Sequence, residues 1–230
     1  MQLSLSIGLR DDASFDNFFP GENTVAVKHL ENILSSLQSE GSVYLWGHEA
    51  SGKTHLLQAL CHQATSLELS AAYLPLSQWR ELDVAMLEGL ENYAIVCIDD
   101  VDAIAGNVDW EQALFHLYNQ IFSKGTHLVV SASSSLQDSP LQLPDLKSRL
   151  SWGIVFQIKE LSEEDKVLAL QHRAHRRGLE LPENVAQYLL RRYSRDMNSL
   201  LDILNRLDEA SLVAKRKLTV PFVKQWLEVL

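Results

Sequence analysis

The chain has 230 residues, of which 46% are hydrophobic, so it is long enough to bury one domain of ordinary size and a small companion. Its formal net charge of −10 and pI near 5.2 argue against a protein whose main task is to grip duplex phosphates, because that task needs a broad basic surface. Protein partners are therefore the better expectation. No basic segment followed by an apolar stretch opens the chain, and no apolar run approaches the ~20 residues of a membrane span, which predicts a cytoplasmic protein without membrane contact.

Three unequal parts follow one another along the chain. Residues 1–14 mix apolar and polar side chains and are predicted to form an N-terminal extension. In residues 15–161 short β-rich runs alternate with helical patterns, which predicts an α/β domain with a parallel five-stranded sheet and flanking helices. Residues 162–230 have apolar residues at helical spacing and no strand pattern, which predicts a small C-terminal α-helical domain.

The predicted elements are short in the first domain and longer in the second. The strands are expected over residues 43–46, 71–74, 94–99, 127–131 and 154–158. The C-terminal helices are expected over residues 163–177, 183–192, 197–215 and 221–230. Such an alternation followed by helices alone indicates a parallel sheet covered by helices, with a separate helical bundle behind it.

A glycine-rich segment follows the first predicted strand and opens a helix. It consists of Gly47, His48, Glu49, Ala50, Ser51, Gly52, Lys53 and Thr54, with His55 directly after it. This spacing in this context is typical of a P-loop, in which backbone N–H groups and the helix N-terminus hold nucleotide phosphates. Lys53 is expected to reach the β and γ phosphates, and the Thr54 hydroxyl to hold Mg²⁺. A chance glycine turn is the alternative interpretation.

A pair of aspartates ends the third predicted strand. The run of residues 94–98 is continuously apolar and is followed by Asp99 and Asp100, as expected of a central parallel strand whose carboxyl end meets a ligand. Asp99 is expected to support Mg²⁺ directly or through water, and Asp100 to orient an attacking water. Two aspartates alone indicate only a turn. Because a P-loop lies upstream, we interpret them as a Walker B element.

Several further motifs occur in the order found in one protein family. They are Phe15-Asp16-Asn17-Phe18, Asp99-Asp100-Val101-Asp102, Phe115-His116-Leu117-Tyr118-Asn119, Ser148-Arg149-Leu150-Ser151-Trp152-Gly153 and Asn205-Arg206-Leu207. From about Phe15 to the C-terminus the chain resembles the AAA+ core of the DnaA-type initiators of bacterial replication, with its P-loop sheet domain and helical lid. The sequence ends after the lid helices, where the initiators continue into a helix-turn-helix DNA-binding domain. This layout resembles the regulatory members of the family, which inactivate DnaA.

The resemblance implies a function, cofactors and partners. A regulator of this kind holds ADP or ATP with Mg²⁺, docks on the DNA sliding clamp and stimulates ATP hydrolysis by DnaA, so that initiation is not repeated. DNA is then contacted only through the clamp. The surface that meets DnaA would also serve a homodimer. Two other functions remain open: a stand-alone ATPase or helicase-loading motor, and a DNA-binding initiator module, which the acidic charge opposes.

The resemblance also gives roles to residues outside the two Walker elements. Arg149 corresponds to the arginine finger, which reaches the γ-phosphate of a neighbouring subunit and here would act on ATP held by DnaA. An exposed arginine paired with Asp145 on the same helix is the alternative. Phe18 and Phe19 are expected near the nucleotide base. Trp152 is interpreted either as an interface anchor or as half-buried packing.

Two sensor positions depart from the family pattern. Asn198 stands where the lid sensor arginine is expected and cannot supply a guanidinium to the γ-phosphate. Ser133 stands where the initiators have an aspartate at the end of the sensor strand. These changes favour a nucleotide that braces the conformation, with weak or no intrinsic ATPase activity.

The N-terminal extension resembles the short peptide by which replication proteins dock on the sliding clamp. Gln2 would enter a polar pocket, and Leu3, Leu5 and Ile7 supply the apolar contacts. An unstructured N-terminus is the alternative. Within the family resemblance, we favour the docking peptide.

Overall fold

The computed structural model describes residues 9, 12–35, 41–193, 196–214 and 217–227, and for residues 198, 212–214 and 227 it describes the backbone alone. The chain divides into two compact units, Met1–Glu160 and Leu161–Leu230. Within the described residues, no helix has the length and apolar character needed to cross a lipid bilayer.

The first unit is built on the predicted five-stranded sheet. Its strands are β1 (Ser42–Trp46), β2 (Ala71–Pro75), β3 (Ile95–Asp99), β4 (His127–Ala132) and β5 (Ile154–Gln157). They lie in the order β2-β3-β4-β1-β5, and every neighbouring pair is parallel. The expected fold class is therefore confirmed, with strand ends that differ from the predicted ones by one residue or less.

Helices cover both faces of this sheet. They are α1 (Thr24–Asn32), α2 (Lys53–Ser66), α3 (Val108–Lys124) and α4 (Pro144–Leu150). Successive side chains of a strand point to opposite faces, so Val43 and Leu45 join the core formed with α1 and α2, while Tyr44 joins the core formed with α3 and α4. Burial on both faces explains why β3 is apolar from Ile95 to Ile98 without alternation.

The parallel arrangement brings the candidate chemistry to one edge of the sheet. The glycine-rich loop follows β1. Asp99 ends β3 and Asp100 comes directly after it, and Ser131 lies near the end of β4, the strand between β3 and β1. In open α/β sheets, ligands bind at the carboxyl ends of such strands. The topology therefore places the P-loop and the Walker B residues on the same side of the domain.

The second unit is an all-helical bundle. Its helices are α5 (Glu163–Arg176), α6 (Glu183–Arg192), α7 (Met197–Ala214) and α8 (Val220–Leu227). Helix α5 begins after Ser162, whose hydroxyl accepts a hydrogen bond from the Asp165 N–H at 3.0 Å, and its first turn is acidic, which suits the helix dipole. Leucines at helical spacing, such as Leu200, Leu204 and Leu207, form the core of the bundle.

Candidate nucleotide-binding site

The loop between β1 and α2 has space for glycine alone at two positions. Gly52 has φ +100°, a conformation that L side chains rarely adopt, and a Cβ there would lie 2.6 Å from Cε2 of Phe18. A Cβ on Gly47 would lie 2.2 Å from the carbonyl oxygen of Ile158. Ala50 also has a positive φ, of 60°. The loop therefore turns sharply between the strand and the helix, as a P-loop does.

Lys53 is the first residue of α2, and its side chain folds back over the loop. Nζ donates hydrogen bonds to the carbonyl oxygens of Gly47, at 2.7 Å, and His48, at 2.8 Å. Burial lowers the pKa of Lys53, and the nearby carboxylates of Asp100 and Asp99 oppose that shift. The ammonium group is thus held at the loop by neutral acceptors that phosphate oxygens could replace.

Polar groups around this loop fit an anionic ligand. The Ser51 hydroxyl is buried, and no hydrogen-bond partner for it lies among the described residues. Gly52 precedes α2 without a side-chain cap, so the first N–H groups of this 14-residue helix remain available, and the helix dipole favours negative charge there. Thr54 is exposed. These features supply the hydrogen-bond donors that bound phosphates need.

Asp99 is buried, and hydroxyl groups contact both of its carboxylate oxygens. Tyr73 donates to Oδ2 at 2.7 Å, and Ser131 donates to Oδ1. The Ser131 oxygen also accepts the backbone N–H of Asp100 at 2.9 Å. Burial, followed by the charge of Asp99, raises the pKa of Tyr73, so the tyrosine remains a donor. Asp99 is therefore fixed in place, with one hydroxyl donor on each of its carboxylate oxygens.

Asp100 follows β3 in a left-handed conformation, with φ 56° and ψ 53°. Burial raises its pKa to about 6; the charge of Asp99 adds to this shift and the charge of Lys53 opposes it. A carboxyl group with a pKa near the working pH can accept or release a proton during a reaction. The position and pKa of Asp100 are consistent with a group that orients water.

The raised pKa of Asp100 predicts a pH-dependent stability difference. Its folded value of about 6 exceeds the ordinary 3.8, so its contribution to folding is complete below pH 3.8 and is lost as the pH rises through about 6. We expect the ligand-free Asp100→Asn protein to gain stability relative to the parent chain over that range, with a constant difference above it. Urea unfolding at a series of pH values measures this difference. A difference that does not change with pH would contradict the assignment.

The sensor position Ser133 is engaged with Asp102. Its backbone N–H donates to Asp102 Oδ2 at 3.0 Å, and its hydroxyl contacts the same oxygen. Asp102 lies two residues beyond Asp100, in the short 3-10 helix Val101–Ile104. The end of β4 is thereby joined to the segment that follows Asp100.

The segment that precedes α1 packs beside the loop. The Phe18 ring lies next to Gly52, and its centroid is 5.5 Å from that of His55. His55 Nε2 lies 2.9 Å from the carbonyl oxygen of Ser14, and Phe19 is half-buried. Phe18 therefore lies beside the glycine-rich loop, and its expected place near the nucleotide base stays a prediction.

Arg149 lies on α4, partly exposed. Its guanidinium carbon is 4.2 Å from the centroid of the Trp152 ring, and that ring meets Phe122 edge-on at 6.5 Å. Trp152 is 61% exposed. Across the described residues there is no ion pair between Arg149 and Asp145, so the arginine is held by stacking rather than by the alternative pairing.

For two groups of predicted residues, the side chains lie outside the part of the chain that the structure describes. Gln2, Leu3, Leu5 and Ile7 lie outside the described residues. The backbone of Asn198 lies in α7, but its side chain is also outside them. Their roles stay predictions.

Comparison with known families shows the family to which the chain belongs. A family model described as the bacterial DnaA ATPase domain matches residues 9–157. The chain belongs to this family. A second model, described as the lid domain of Hda, matches residues 163–227. The two matches make the chain a DnaA-homologous AAA+ protein of the Hda type, which confirms the family resemblance inferred from its motifs.

Solved structures of low sequence identity share the fold. Domain III of DnaA from Thermotoga maritima superposes with a TM-score of 0.80 at 22% identity, covering 96% of this chain and 98% of that one. DnaA from Aquifex aeolicus bound to AMPPCP gives 0.73 at 21% identity, covering 87% and 66%. The RuvB branch migration motor of Thermotoga maritima gives 0.66 at 16%, covering 94% and 74%. At these identities the comparisons establish the AAA+ fold.

Three residues of this AAA+ site make contacts that the sequence did not predict. Tyr73 and Ser131 hold Asp99, and Asp102 holds the end of β4. The sequence offered two signals for such contacts: a lone hydroxyl in the apolar strand β4, at Ser131, and a tyrosine near the end of β2, at Tyr73. Recognising either contact requires the strand order, because β2 and β4 flank β3 only in the folded sheet.

Proposed function

We propose that this chain is a cytoplasmic negative regulator of replication initiation that carries ADP or ATP with Mg²⁺, docks on the DNA sliding clamp and stimulates ATP hydrolysis by the DnaA initiator. The observation that carries the proposal is Arg149, a partly exposed guanidinium stacked on Trp152 in a DnaA-family domain. The match of the C-terminal part to an Hda lid supports a regulator over an initiator. We assign nucleotide binding to residues 15–161 and the lid to residues 162–230.

The nucleotide is proposed to bind at the P-loop. The buried Ser51 hydroxyl, the uncapped start of α2 and the Lys53 ammonium together supply donors for phosphate oxygens. Lys53 exchanges its contacts with the Gly47 and His48 carbonyls for the phosphates. Thr54 holds Mg²⁺ through its hydroxyl. The AMPPCP complex of Aquifex aeolicus DnaA supports an adenine nucleotide as the ligand.

The bound nucleotide acts mainly as a brace. Asn198 cannot contribute the charge of a lid arginine, and Ser133 is engaged with Asp102 rather than replacing the expected aspartate. Asp100 retains the properties of a water-orienting group. Slow hydrolysis in the chain's own site is therefore expected, while the effect on the initiator depends on Arg149.

Arg149 is proposed to act in trans. Its planar guanidinium would contact the γ-phosphate of ATP held by DnaA and spread the negative charge that develops in the transition state. Stacking on Trp152 restricts the side chain before the partner arrives, which lowers the entropy lost when the complex forms.

Clamp docking is proposed for the N-terminal peptide, and it predicts a specific loss. Replacing Gln2 by alanine should reduce retention of the chain by immobilised clamp by about tenfold or more, because a polar pocket would lose its hydrogen-bonding partner. Ser4→Ala, two residues along the same peptide, is the matched control and should bind normally. Surface plasmon resonance measures both affinities. Equal binding by the Gln2 variant and the parent chain would contradict docking through this peptide.

Turnover measurements separate the regulator from a motor. We expect the purified chain to hydrolyse ATP slowly alone and to accelerate turnover when initiator and loaded clamp are added. Rapid steady turnover by the chain alone would favour the stand-alone ATPase or helicase-loading motor, for which Lys53, Thr54, Asp99 and Asp100 are all present. Tight, steeply salt-dependent duplex binding without clamp would instead favour a DNA-binding initiator module.

A further inference from the structure

Glu111 is a buried carboxylate that has no part in the proposed binding of nucleotide or magnesium. It lies in the first turns of α3 and is 2% exposed. Among the described residues no lysine or arginine pairs with it. A buried carboxylate without a cation is costly unless hydrogen-bond donors surround it, so its partners indicate why it is there.

Those partners are backbone N–H groups of two separate loops. The Gly106 N–H donates to Oε1 at 2.7 Å. The Gln142 N–H donates to Oε2 at 2.9 Å, and the Leu143 N–H donates to the same oxygen at 2.6 Å. A carboxylate that accepts several N–H bonds forms a strong, directional junction.

The first loop connects this junction to the Walker B residues. Gly106 follows the 3-10 helix Val101–Ile104, which begins immediately after Asp100. Gly106 has φ +81°. A Cβ added to it would lie 3.3 Å from Nε2 of Gln142, so the two loops touch at this point. A shift of the segment after Asp100 would therefore reach Glu111 directly.

The second loop begins the helix that carries the arginine. Leu143 is the residue before α4 and lacks a side-chain cap of its own, so the Glu111 carboxylate satisfies a backbone donor at the helix start. Leu146 and Leu150 bury the inner face of α4, and Arg149 lies between them in sequence. The apolar face of α4 and the Glu111 junction thus both help to set the position of this helix, together with the hydrogen bond from Lys147 Nζ to the Ser139 carbonyl oxygen at 3.0 Å.

We propose that Glu111 is a positioning residue for Arg149, which joins the segment after Asp100 to the start of α4 and so makes the arginine's position depend on the state of the nucleotide site. This inference rests on the proposed trans action of Arg149. Loss of the junction would let α4 shift, and a misplacement of about 1 Å at a reacting group can reduce the rate about 100-fold.

The first test uses the full chain with Glu111→Gln, which keeps the side-chain shape but leaves one oxygen and an NH₂ facing backbone donors. With ADP-loaded chain, clamp-loaded DNA and ATP-loaded initiator, we expect the maximal stimulated rate to fall about tenfold or more. The chain concentration that gives half-maximal stimulation and the chain's ADP affinity should stay within about twofold. Adding Glu111→Gln to Arg149→Ala should cause no further loss of the stimulated rate, because both changes remove the contribution of Arg149.

Glu91→Gln is the matched control. Glu91 pairs with Lys124 at 3.2 Å, near the other end of α3, so this variant disturbs an acidic contact of the same helix away from α4. It should retain full stimulation. A Glu111→Gln protein with an unchanged maximal rate, or with equal losses in rate and half-saturation, would overturn the positioning role. Retained stimulation by Arg149→Ala would overturn the role of Arg149 on which this inference rests. Absence of stimulation by the parent chain would instead overturn the proposed function itself.

A second measurement does not depend on the variant folding. Amide hydrogen exchange in the parent chain should show slow exchange at Gly106, Gln142 and Leu143, with further slowing at all three when ADP and Mg²⁺ are added. Slowing at Gly106 alone, with unchanged exchange at Gln142 and Leu143, would show that the junction does not couple the two loops.

Discussion

Replacing Arg149 by alanine is expected to lower the stimulated rate of ATP hydrolysis on the initiator by about 10³-fold or more, because an arginine finger contributes about 10³–10⁵ to such rates. The chain's own nucleotide affinity and its clamp binding should not change, since the guanidinium contacts Trp152 rather than the P-loop. Single-turnover phosphate release from ATP-loaded initiator measures the effect.

The chain contains a matched control for this variant. The Arg80 guanidinium stacks on Trp79 at 4.7 Å, so Arg80→Ala removes the same kind of contact elsewhere in the domain. Arg80→Ala should keep full stimulation. Arg149→Lys keeps the positive charge but loses the planar fork, so it should recover only a small part of the activity. Retained stimulation by Arg149→Ala would remove this residue from the mechanism.

The second large effect is expected at Lys53. Lys53→Met keeps the apolar stem but removes the ammonium group that would contact the phosphates. Charge-assisted hydrogen bonds are worth about 1.5–3 kcal/mol each, so affinity for ADP or ATP should fall about 100-fold or more. Because we propose that nucleotide braces the chain, stimulation of the initiator should fall with it. Titration calorimetry measures the affinity.

Replacement of a surface lysine is the matched control for Lys53→Met. Lys159 pairs with Glu22 at 2.6 Å on the exposed surface, where such pairs contribute little, so Lys159→Met should bind nucleotide normally. Circular dichroism establishes that both variants are folded. Normal ADP binding by a folded Lys53→Met protein would contradict the role assigned to the loop.

The fold could be predicted from the sequence because its signals are local. The apolar run before Asp99 indicates a strand buried on both faces, and the spacing of Gly47, Gly52 and Lys53 indicates a loop between a strand and a helix. Neither inference requires knowledge of distant contacts. The five strands accordingly agree with the expected ones to within about a residue at each end.

The contacts that organise the site depend on strand order and could not be predicted. Tyr73 and Ser131 reach Asp99 because β2 and β4 lie on either side of β3, although they are far apart along the chain. Several connectivities are compatible with five parallel strands, and each would give Asp99 other neighbours. The junction at Glu111 has the same origin, since it joins two loops that are distant in sequence.

Helical spacing alone cannot decide whether Arg149 pairs with Asp145 or stacks on Trp152. Asp145 lies four residues earlier, where an ion pair across one helical turn is possible. Helix α4 ends at Leu150, and the turn that follows places the Trp152 ring against the Arg149 guanidinium. An exposed ion pair gains little free energy, whereas an arginine over an indole also removes apolar surface from water.

The most direct test of the proposed regulation measures hydrolysis of the ATP that the initiator holds, separately from any hydrolysis by this chain. DnaA is loaded with γ-labelled ATP, this chain is loaded with unlabelled ADP, and the two are mixed on DNA that carries the clamp. Release of labelled phosphate is expected to be about 10³-fold or more faster than from the initiator by itself. An unchanged rate of label release in the presence of folded, nucleotide-bound chain and loaded clamp would contradict the proposed regulation.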